Sequence, residues 1–576
     1  MRLSSWLRSL RSPFRRGRGS RQRHRNKQNL ASAAELLEDR TLLVAPHPFD
    51  LSTLDGSNGF RLDGIDASDL SGRSVSTAGD VNGDGYDDIL VGAYKADPGG
   101  DSAAGETYVV FGSGSPFAAS LDLSTLDGSN GFRLDGIDVD DRSGRSVSTA
   151  GDVNGDGYDD ILVGASGAAP GGNSSAGETY VIFGSGSGFA ASLDLSTLDG
   201  SNGFRLDGID ANDRSGVSVS TAGDVNGDGY DDILVGAQSA APGGDSSAGE
   251  TYVVFGSGSG FASSLDLSTL DGSNGFRLDG IDVWDESGLS VSTAGDVNGD
   301  GYDDILVGAV GGDPGGDSDA GETYVVFGGD FTGAATHAGT VAADTLTGDG
   351  TANVMVAGIS NDTVIGGGGV DVIYAAEGDD TITVSDTTFA RIDGGTDDDT
   401  LEIDGSGLTL DLTTIADNRV RAIESIDLTG SGDNTLILDV LEVLNLSDTS
   451  NTLTVVGDAG DSINIGPGWT RHVASGGKQH LTQGAATLLV SSDVFTTSPA
   501  VIELDSLDGN NGFRLDGIDA GDRSGISVST AGDVNGDGYD DMLVGAYYAA
   551  PGGDSGAGET YVVFGSGSGF AASLDL

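Results

Sequence analysis

The sequence predicts an all-β chain of stacked repeats, and three observations carry that prediction. A nonapeptide, Asp80-Val81-Asn82-Gly83-Asp84-Gly85-Tyr86-Asp87-Asp88, recurs without a change at 152–160, 224–232, 296–304 and 533–541. Its first four copies begin at Asp80, Asp152, Asp224 and Asp296, a period of 72 residues, and a repeat of this size must be settled before any other reading of fold. The apolar residues, 37% of the chain, fall in short Val/Ile/Leu/Phe runs between Gly, Asp and Pro turn signals, as expected for many short strands joined by turns.

One unit, taken in order, starts at Leu51-Ser52-Thr53-Leu54 and offers four candidate strands at 59–65, 72–79, 88–94 and 105–112. A Pro98-Gly99-Gly100 turn separates the last two. Ile89–Val91 and Tyr108–Phe111 are apolar on both faces, which suits strands sandwiched between neighbouring sheets. Four antiparallel strands per unit, with the units side by side, make the blade of a β-propeller. Phe60, Phe132, Phe204, Phe276 and Phe513 recur once per unit and read as core. Trp284 stands at a variable loop site and reads as an exposed residue.

The repeated nonapeptide carries the chemistry. Oxygen-bearing side chains stand at positions one, three, five and nine, with glycines between them. A hard cation such as Ca²⁺ takes six to eight oxygens, and a short loop wraps one only if its backbone turns tightly. The expected side-chain ligands, with the Tyr carbonyl at position seven, are Asp80, Asn82, Asp84, Tyr86 and Asp88; Asp152, Asn154, Asp156, Tyr158 and Asp160; Asp224, Asn226, Asp228, Tyr230 and Asp232; Asp296, Asn298, Asp300, Tyr302 and Asp304; and Asp533, Asn535, Asp537, Tyr539 and Asp541. An EF-hand loop would place Glu at position twelve and continue into a helix. Here position twelve is Val91, inside Ile89-Leu90-Val91-Gly92-Ala93. Mg²⁺ suits an all-protein oxygen cage less well than the larger ion.

Composition bounds the partners. The 576 residues exceed one ordinary domain. There are 90 acidic against 27 basic side chains, a net charge of −63. Residues 1–45 hold eleven Arg or Lys and three acids, so the remainder carries 16 basic against 87 acidic side chains, a net −71. Such a body repels nucleic acid and anionic lipid and attracts cations. The absence of cysteine rules out disulfides and thiol catalysis, leaving bound metal as the expected staple. No apolar run approaches the ~20 residues of a spanning helix. His24, His47, His337, His472 and His480 are scattered, and the sequence has no phosphate-binding loop, no H-E-x-x-H and no nucleophile elbow. No enzymatic activity is expected.

These residues carry a resemblance. Ser71-Gly72-Arg73-Ser74-Val75-Ser76-Thr77-Ala78-Gly79 with the acidic loop, Ile89–Ala93 and Tyr108–Gly112, resembles the FG-GAP repeat of integrin α-subunit propellers and bacterial surface proteins. The first Phe of that family's name is Ser here (Ser71, Ser143, Ser215, Ser287 and Ser524). The resemblance implies seven blades. Five units are present, so an incomplete or irregular ring is expected. Between units four and five, nonads run from Gly339 to Thr383, with Asp344, Asn353, Asp362, Asp371 and Asp380 at position six and Leu346, Met355, Val364, Ile373 and Ile382 at position eight. A further nonad, Gly394–Glu402, puts Asp399 at position six. This tract resembles the RTX (haemolysin-type) parallel β-roll. The resemblance implies Ca²⁺ in the Gly/Asp turns, with Asp362, Asp371 and Asp380 as its best-marked ligands. Leu37-Glu38-Asp39-Arg40-Thr41-Leu42-Leu43 resembles the leader of many planctomycete surface proteins and implies export.

The expected organisation is a basic leader at 1–45, four blades at 46–330, an RTX-like β-roll at 331–402, a β-solenoid continuation at 403–500 and a fifth blade at 501–576. Asp439–Leu446 has a helical look, but its β-branched residues and strand-rich surroundings favour strand. The expected function is an exported, cell-surface or extracellular Ca²⁺-binding protein for adhesion or scaffolding. It would bind a protein or glycan and neither nucleic acid nor, through a transmembrane segment, the membrane. The alternatives are a non-catalytic binding module of a larger secreted enzyme and a fragment of a longer repeat array.

Overall fold

The computed structural model describes residues 50–447, 450–475, 477–491 and 494–497, and beyond them the strands at 514–516, 524–532, 541–546, 559–563 and 573–575. The chain divides into a short unit ending at Leu54 and a large one from Asp55 onward. In the short unit, the Asp50 carboxylate accepts the Ser52 N–H and starts a 3-10 turn at Leu51–Thr53.

Each complete blade is antiparallel. In the first, Ser74–Gly79, Asp88–Ala93, Glu106–Val110 and Gly131–Asp135 follow one another, and Ser192–Asp194 adds a fifth, parallel strand at the edge. The second blade repeats this with Ser146–Gly151, Asp160–Ala165, Glu178–Ile182, Gly203–Asp207 and Ser264–Asp266, and the third has Ser218–Gly223, Asp232–Ala237, Glu250–Val254 and Gly275–Asp279. Among the described residues the fourth has three strands, Ser287–Gly295, Asp304–Ala309 and Glu322–Val326.

This pairing corrects the expected unit. The strand read as the first of a unit is the last strand of the blade before it: Gly131 lies opposite Val110 and Asp135 opposite Glu106. Glu106–Val110 leaves an open backbone edge, and Gly131–Asp135 fills it, while the intervening strand Ser120–Asp122 pairs with Arg61–Asp63. Phe132 then packs 4.3 Å from Phe189 in a stacked pair and tilts against Phe111.

Both faces of a blade are buried because blades stack. Leu90, Val109 and Phe111 of the first blade share one core with Val147, Ile161 and Tyr180 of the second, and matching clusters join the second to the third and the third to the fourth. Val147, Val219 and Val291 are buried in these contacts, whereas the equivalent Val75 of the first blade is 64% exposed. Among the described residues the array is open.

The nonads fold as their spacing predicts. Alternate nonads supply two parallel sheets, so one coil takes two of them. Thr345–Thr347, Thr363–Ile365, Thr381–Val384 and Thr400–Ile403 line one side, and Val354–Val356, Val372–Tyr374 and Arg391–Asp393 the other. Met355, Val364, Ile373, Ile382, Ile392 and Leu401 point inward and are fully buried. The parallel stacking continues through Ser425–Asp427 and Thr452–Val456, and a third sheet forms from Thr409–Asp411, Thr435–Ile437, Ser462–Asn464 and Phe495–Thr497. An antiparallel run, Thr470–Ser475, Lys478–Gln483 and Ala486–Ser491, ends this body.

Val440–Leu446 is an α-helix, which corrects the strand reading of that stretch. The Asp439 side chain accepts the Leu441 N–H at 2.8 Å as an N-cap. Val443 and Leu446, three residues apart, share the buried face. A cap and an apolar stripe at helical spacing outweigh the few tenths of a kcal/mol that β-branching costs.

The stacking makes a testable distinction between equivalent apolar positions. Phe204→Ala, which empties a fully buried site beside Phe261, should lower stability by about 3–5 kcal/mol in urea unfolding, while Val75→Ala should change it by less than about 0.5 kcal/mol.

Candidate metal sites

Each repeated loop is wound on its first aspartate. In the second copy, Asp152 Oδ1 accepts the N–H of Gly155 and Asp156, and Oδ2 accepts that of Gly157. Gly155 and Gly157 have φ of 74° and 92°, values that an L side chain resists. The ninth residue ties the loop to the blade: Asp160 accepts the Val153 N–H at 3.1 Å and the Gly184 N–H at 2.9 Å. Positions three and five remain at the mouth, with Asn154 accepting from the Asp156 N–H and Asp156 from the Tyr158 N–H. The bonds of the first and ninth residues recur in the first, third and fourth loops. Asp533, Asn535, Asp537 and Tyr539 of the fifth lie outside the described residues, and Asp541 opens the strand Asp541–Ala546.

Among the described residues, no three carboxylate or imidazole groups already converge as a cation cage. Positions one and nine have oxygens engaged by backbone amides. The donor set nonetheless fits an oxygen-seeking cation. In the third loop Asn226 is fully buried and its Oδ1 has no partner. Burial, reinforced by neighbouring carboxylates, pushes Asp88 up to about 7, Asp152 up to about 6 and Asp228 up to about 7, and holds Asp160 and Asp232 well above the usual range. A dication would relieve the strain that these shifts report.

The solenoid carries a second acidic system. Asp362 Oδ1 accepts the Asp344 N–H at 2.6 Å, Asp380 Oδ1 the Asp362 N–H at 2.5 Å, Asp399 Oδ1 the Asp380 N–H at 2.8 Å, and Glu424 Oε2 the Asp399 N–H at 3.0 Å. The second oxygens of Asp362, Asp380 and Asp399 are buried without a partner. Burial, then charge repulsion along the ladder, raises Asp380 to about 6 and Asp399 to about 9. Asp371 stands on the opposite edge, where it accepts the Asn353 N–H. The structure thus groups Asp362 and Asp380 and separates Asp371 from them. Glu424 lies outside the nonads and no motif marks it.

Position eight of the loop, which the ligand spacing does not use, joins blade to blade. Asp159 Oδ2 accepts the Asp80 N–H at 2.8 Å, and Asp231 and Asp303 do the same to Asp152 and Asp224. The Asp159 N–H returns a bond to the Asp80 carbonyl. A Cβ on Gly79, Gly151 or Gly223 would lie within 2.3 Å of that clasping carboxylate, so glycine is required there. The sequence signal was present: position eight is Asp in all five copies, with no ligand role to explain it.

The solenoid lies across the loops. Arg391, 5% exposed, sets Nη1 3.1 Å from Asp231 Oδ1 and its guanidinium over the Tyr374 ring, and Tyr374 donates to Asp224. Burial opposes ionisation of Asp231, but Arg391 and Arg421 outweigh it and hold this carboxyl below its usual value. As a result Asp224, Asn226 and Asp232 of the third loop are buried, at 1% exposure or less, while Asp228 and Gly229 line a smaller cavity of about 220 Å³. The first two loops instead face a cavity of about 340 Å³, whose other wall includes Asp417, Arg419, Asp439 and Glu442. Burial and the surrounding carboxylates raise Asp417 to about 6 and Glu442 to about 8. Neither Arg391 nor Tyr374 is marked by any motif in the sequence.

The repeat geometry agrees with known families. The FG-GAP repeat matches residues 71–110, 143–182, 215–254, 287–326 and 524–563. The RTX calcium-binding nonapeptide repeat matches 339–382. The chain carries five FG-GAP repeats and one RTX block. It is 33% identical over 245 residues to integrin alpha pat-2 of Caenorhabditis elegans, covering 42% of this chain and 18% of that one. It is 34% identical to mouse integrin alpha-IIb over 190 residues, 31% of this chain and 16% of that one. It is also 34% identical to bovine phosphatidylinositol-glycan-specific phospholipase D over 161 residues, 28% of this chain and 18% of that one. The chain therefore spans less than a fifth of the length of these relatives. The RTX match supports Ca²⁺ binding, and no helix among the described residues is long and apolar enough to cross a membrane.

Two outcomes test this electrostatic picture. Asp231→Ala strands a buried guanidinium and should cost about 3–5 kcal/mol in chemical unfolding, with the Asp231→Ala/Arg391→Met double variant losing less than the sum of the singles. A carboxyl whose folded pKa is raised holds a proton that the unfolded chain has released, so its penalty grows as pH climbs from the unfolded value of 3.8 to the folded value of about 9 for Asp399. In chelator, the melting temperature should be lower at pH 9 than at pH 5, and Ca²⁺ should narrow the gap.

Proposed function

We propose that this is an exported Ca²⁺-binding repeat protein of the cell surface or extracellular space, acting in adhesion or scaffolding. Its domains would be the leader at 1–45, blades at 46–330, the β-roll at 331–402, its solenoid continuation at 403–500 and the fifth blade at 501–576. The observation that carries the reading is the set of buried, partnerless oxygens of Asp362, Asp380 and Asp399 beside the amide-bonded rungs. A cation there would neutralise a ladder that is otherwise a column of buried like charges. In the blades, Asp80, Asn82, Asp84, the Tyr86 carbonyl and Asp88, with their counterparts, would hold one ion per loop. Ca²⁺ supplies positive charge and oxygen coordination; the chain's own residues wind the loops, clasp the blades and bury the ladder. The exposed loop faces would then present a rigid surface to a protein or glycan.

A second reading is a non-catalytic binding module of a larger secreted enzyme, favoured by the 161-residue similarity to a phosphatidylinositol-glycan-specific phospholipase D. Binding of the whole protein to panels of immobilised extracellular proteins and of glycans separates these readings. Protein capture that chelator abolishes supports adhesion, capture confined to glycans supports the module reading, and no Ca²⁺-dependent capture on either panel overturns both. Calcium titration of the Asp380→Ala variant should show fewer bound ions than the parent; an unchanged stoichiometry would remove Asp380 from the ligand set.

A further inference from the structure

We propose that Arg514–Asp516 is the missing fourth strand of the blade that ends at Glu322–Val326. The entire solenoid is then an insertion inside one blade, between its third and fourth strands.

Three observations converge on this pairing. The first is an open edge. Glu322–Val326 pairs only with Asp304–Ala309 among the described residues, whereas its counterparts in the first three blades are each flanked on both sides. The strand is also uncovered on the face that the next blade would cover: Val325 is 47% and Phe327 54% exposed, while Val109, Val181 and Val253 are fully buried and Phe111, Phe183 and Phe255 are at most 9% exposed.

The second is a strand that lacks the matching neighbour. In the complete blades Gly131–Asp135 and Gly203–Asp207 have an antiparallel neighbour, the third strand, and a parallel one, Ser192–Asp194 or Ser264–Asp266. Arg514–Asp516 has the parallel neighbour, Ser573–Asp575, in the same register, and no antiparallel one among the described residues. Joining the two edges yields the sheet of the first two blades.

The third is sequence and chemistry. Residues 512–516 read Gly-Phe-Arg-Leu-Asp, identical to 131–135, 203–207 and 275–279. In each of those blades the strand is the first such pentapeptide after the third strand, and the first one after Val326 begins at residue 512. In the first blade the arginine of this pentapeptide completes a polar cluster. Arg133 lies 2.5 Å from Asp135 and 3.6 Å from Glu106, which also accepts from Tyr108. In the fourth blade Tyr324 donates to Glu322 with no arginine beside them among the described residues. The proposed register sets Asp516 opposite Glu322, Leu515 opposite Thr323 and Arg514 opposite Tyr324, matching Asp135 on Glu106, Leu134 on Thr107 and Arg133 on Tyr108.

Insertion at one blade would tether the solenoid at both its ends to a single sheet, while its flank spans the loops. The chain has no native cysteine, which makes the test direct. Opposed residues in an antiparallel pair have Cα atoms about 4.5–5.5 Å apart, within disulfide reach. A Thr323→Cys/Leu515→Cys variant of the full chain, oxidised mildly beside a Thr107→Cys/Leu134→Cys control, should form an intrachain disulfide to the same extent as the control. Absence of the bond while the control forms it, bonds only between chains, or preferential bonding of Thr323→Cys with Leu62→Cys in the identical pentapeptide at 59–63 would each overturn the proposal. Hydrogen exchange on the unmodified protein gives a readout independent of substitution. Amides of Glu322–Val326 should exchange as slowly as those of Glu106–Val110, and fast exchange confined to the former would contradict the pairing.

Discussion

The structure depends on one contact made many times: an aspartate carboxylate of one repeat accepts the backbone N–H of the repeat before it. In the blades Asp159, Asp231 and Asp303 reach back to the first residue of the preceding acidic loop. In the solenoid Asp362, Asp380 and Asp399 reach back one coil. A charge-assisted bond of this kind is stronger than a neutral one, and it fixes both spacing and register between repeats. It also brings carboxylates to regular, short separations in buried surroundings. The contact that stacks the repeats is therefore the source of the charge that must be neutralised.

The two modules meet that demand in different ways. At the third loop, Arg391 enters from the solenoid and pairs with Asp231, while Tyr374 covers Asp224. There the protein supplies its own cation, and Asp224, Asn226 and Asp232 are buried. At the first two loops no such pair is made, and their mouths open on an acidic cavity. Within the ladder of Asp362, Asp380 and Asp399, partnerless oxygens remain. Four loops identical in sequence thus differ in environment, because the solenoid lies across them unevenly. With a net charge of −63 over the chain, few basic residues are available for this purpose, and external cations are the natural complement.

Much of this was legible in the residues. The period of 72 announced the blades, and the nonads located the solenoid strands to the residue, since position eight is where the buried side chain falls. Glycines at the loop turns and the spacing of Asp and Asn marked where oxygens would gather. What escaped was whatever depends on contacts between repeats. The strand at 131–135 belongs to the preceding blade because an open edge captures it, and edges do not show in a linear pattern. Position eight of the loop is an aspartate outside the ligand spacing, and only the preceding blade gives it a partner. Arg391 and Tyr374 read as ordinary solenoid residues, and only the docking of the solenoid on the loops gives them partners. Helix 440–446 was hidden by β-branched residues, whose weak local preference yields to an N-cap and a buried stripe.

A stack of carboxylate clasps of this kind calls for Ca²⁺ to complete it. Thermal unfolding of the whole protein in Ca²⁺ and in chelator, at matched ionic strength and neutral pH, tests it most directly. The melting temperature should rise steeply with Ca²⁺ and saturate with concentration, as binding to the native state requires. Superimposable curves in Ca²⁺ and chelator would contradict it.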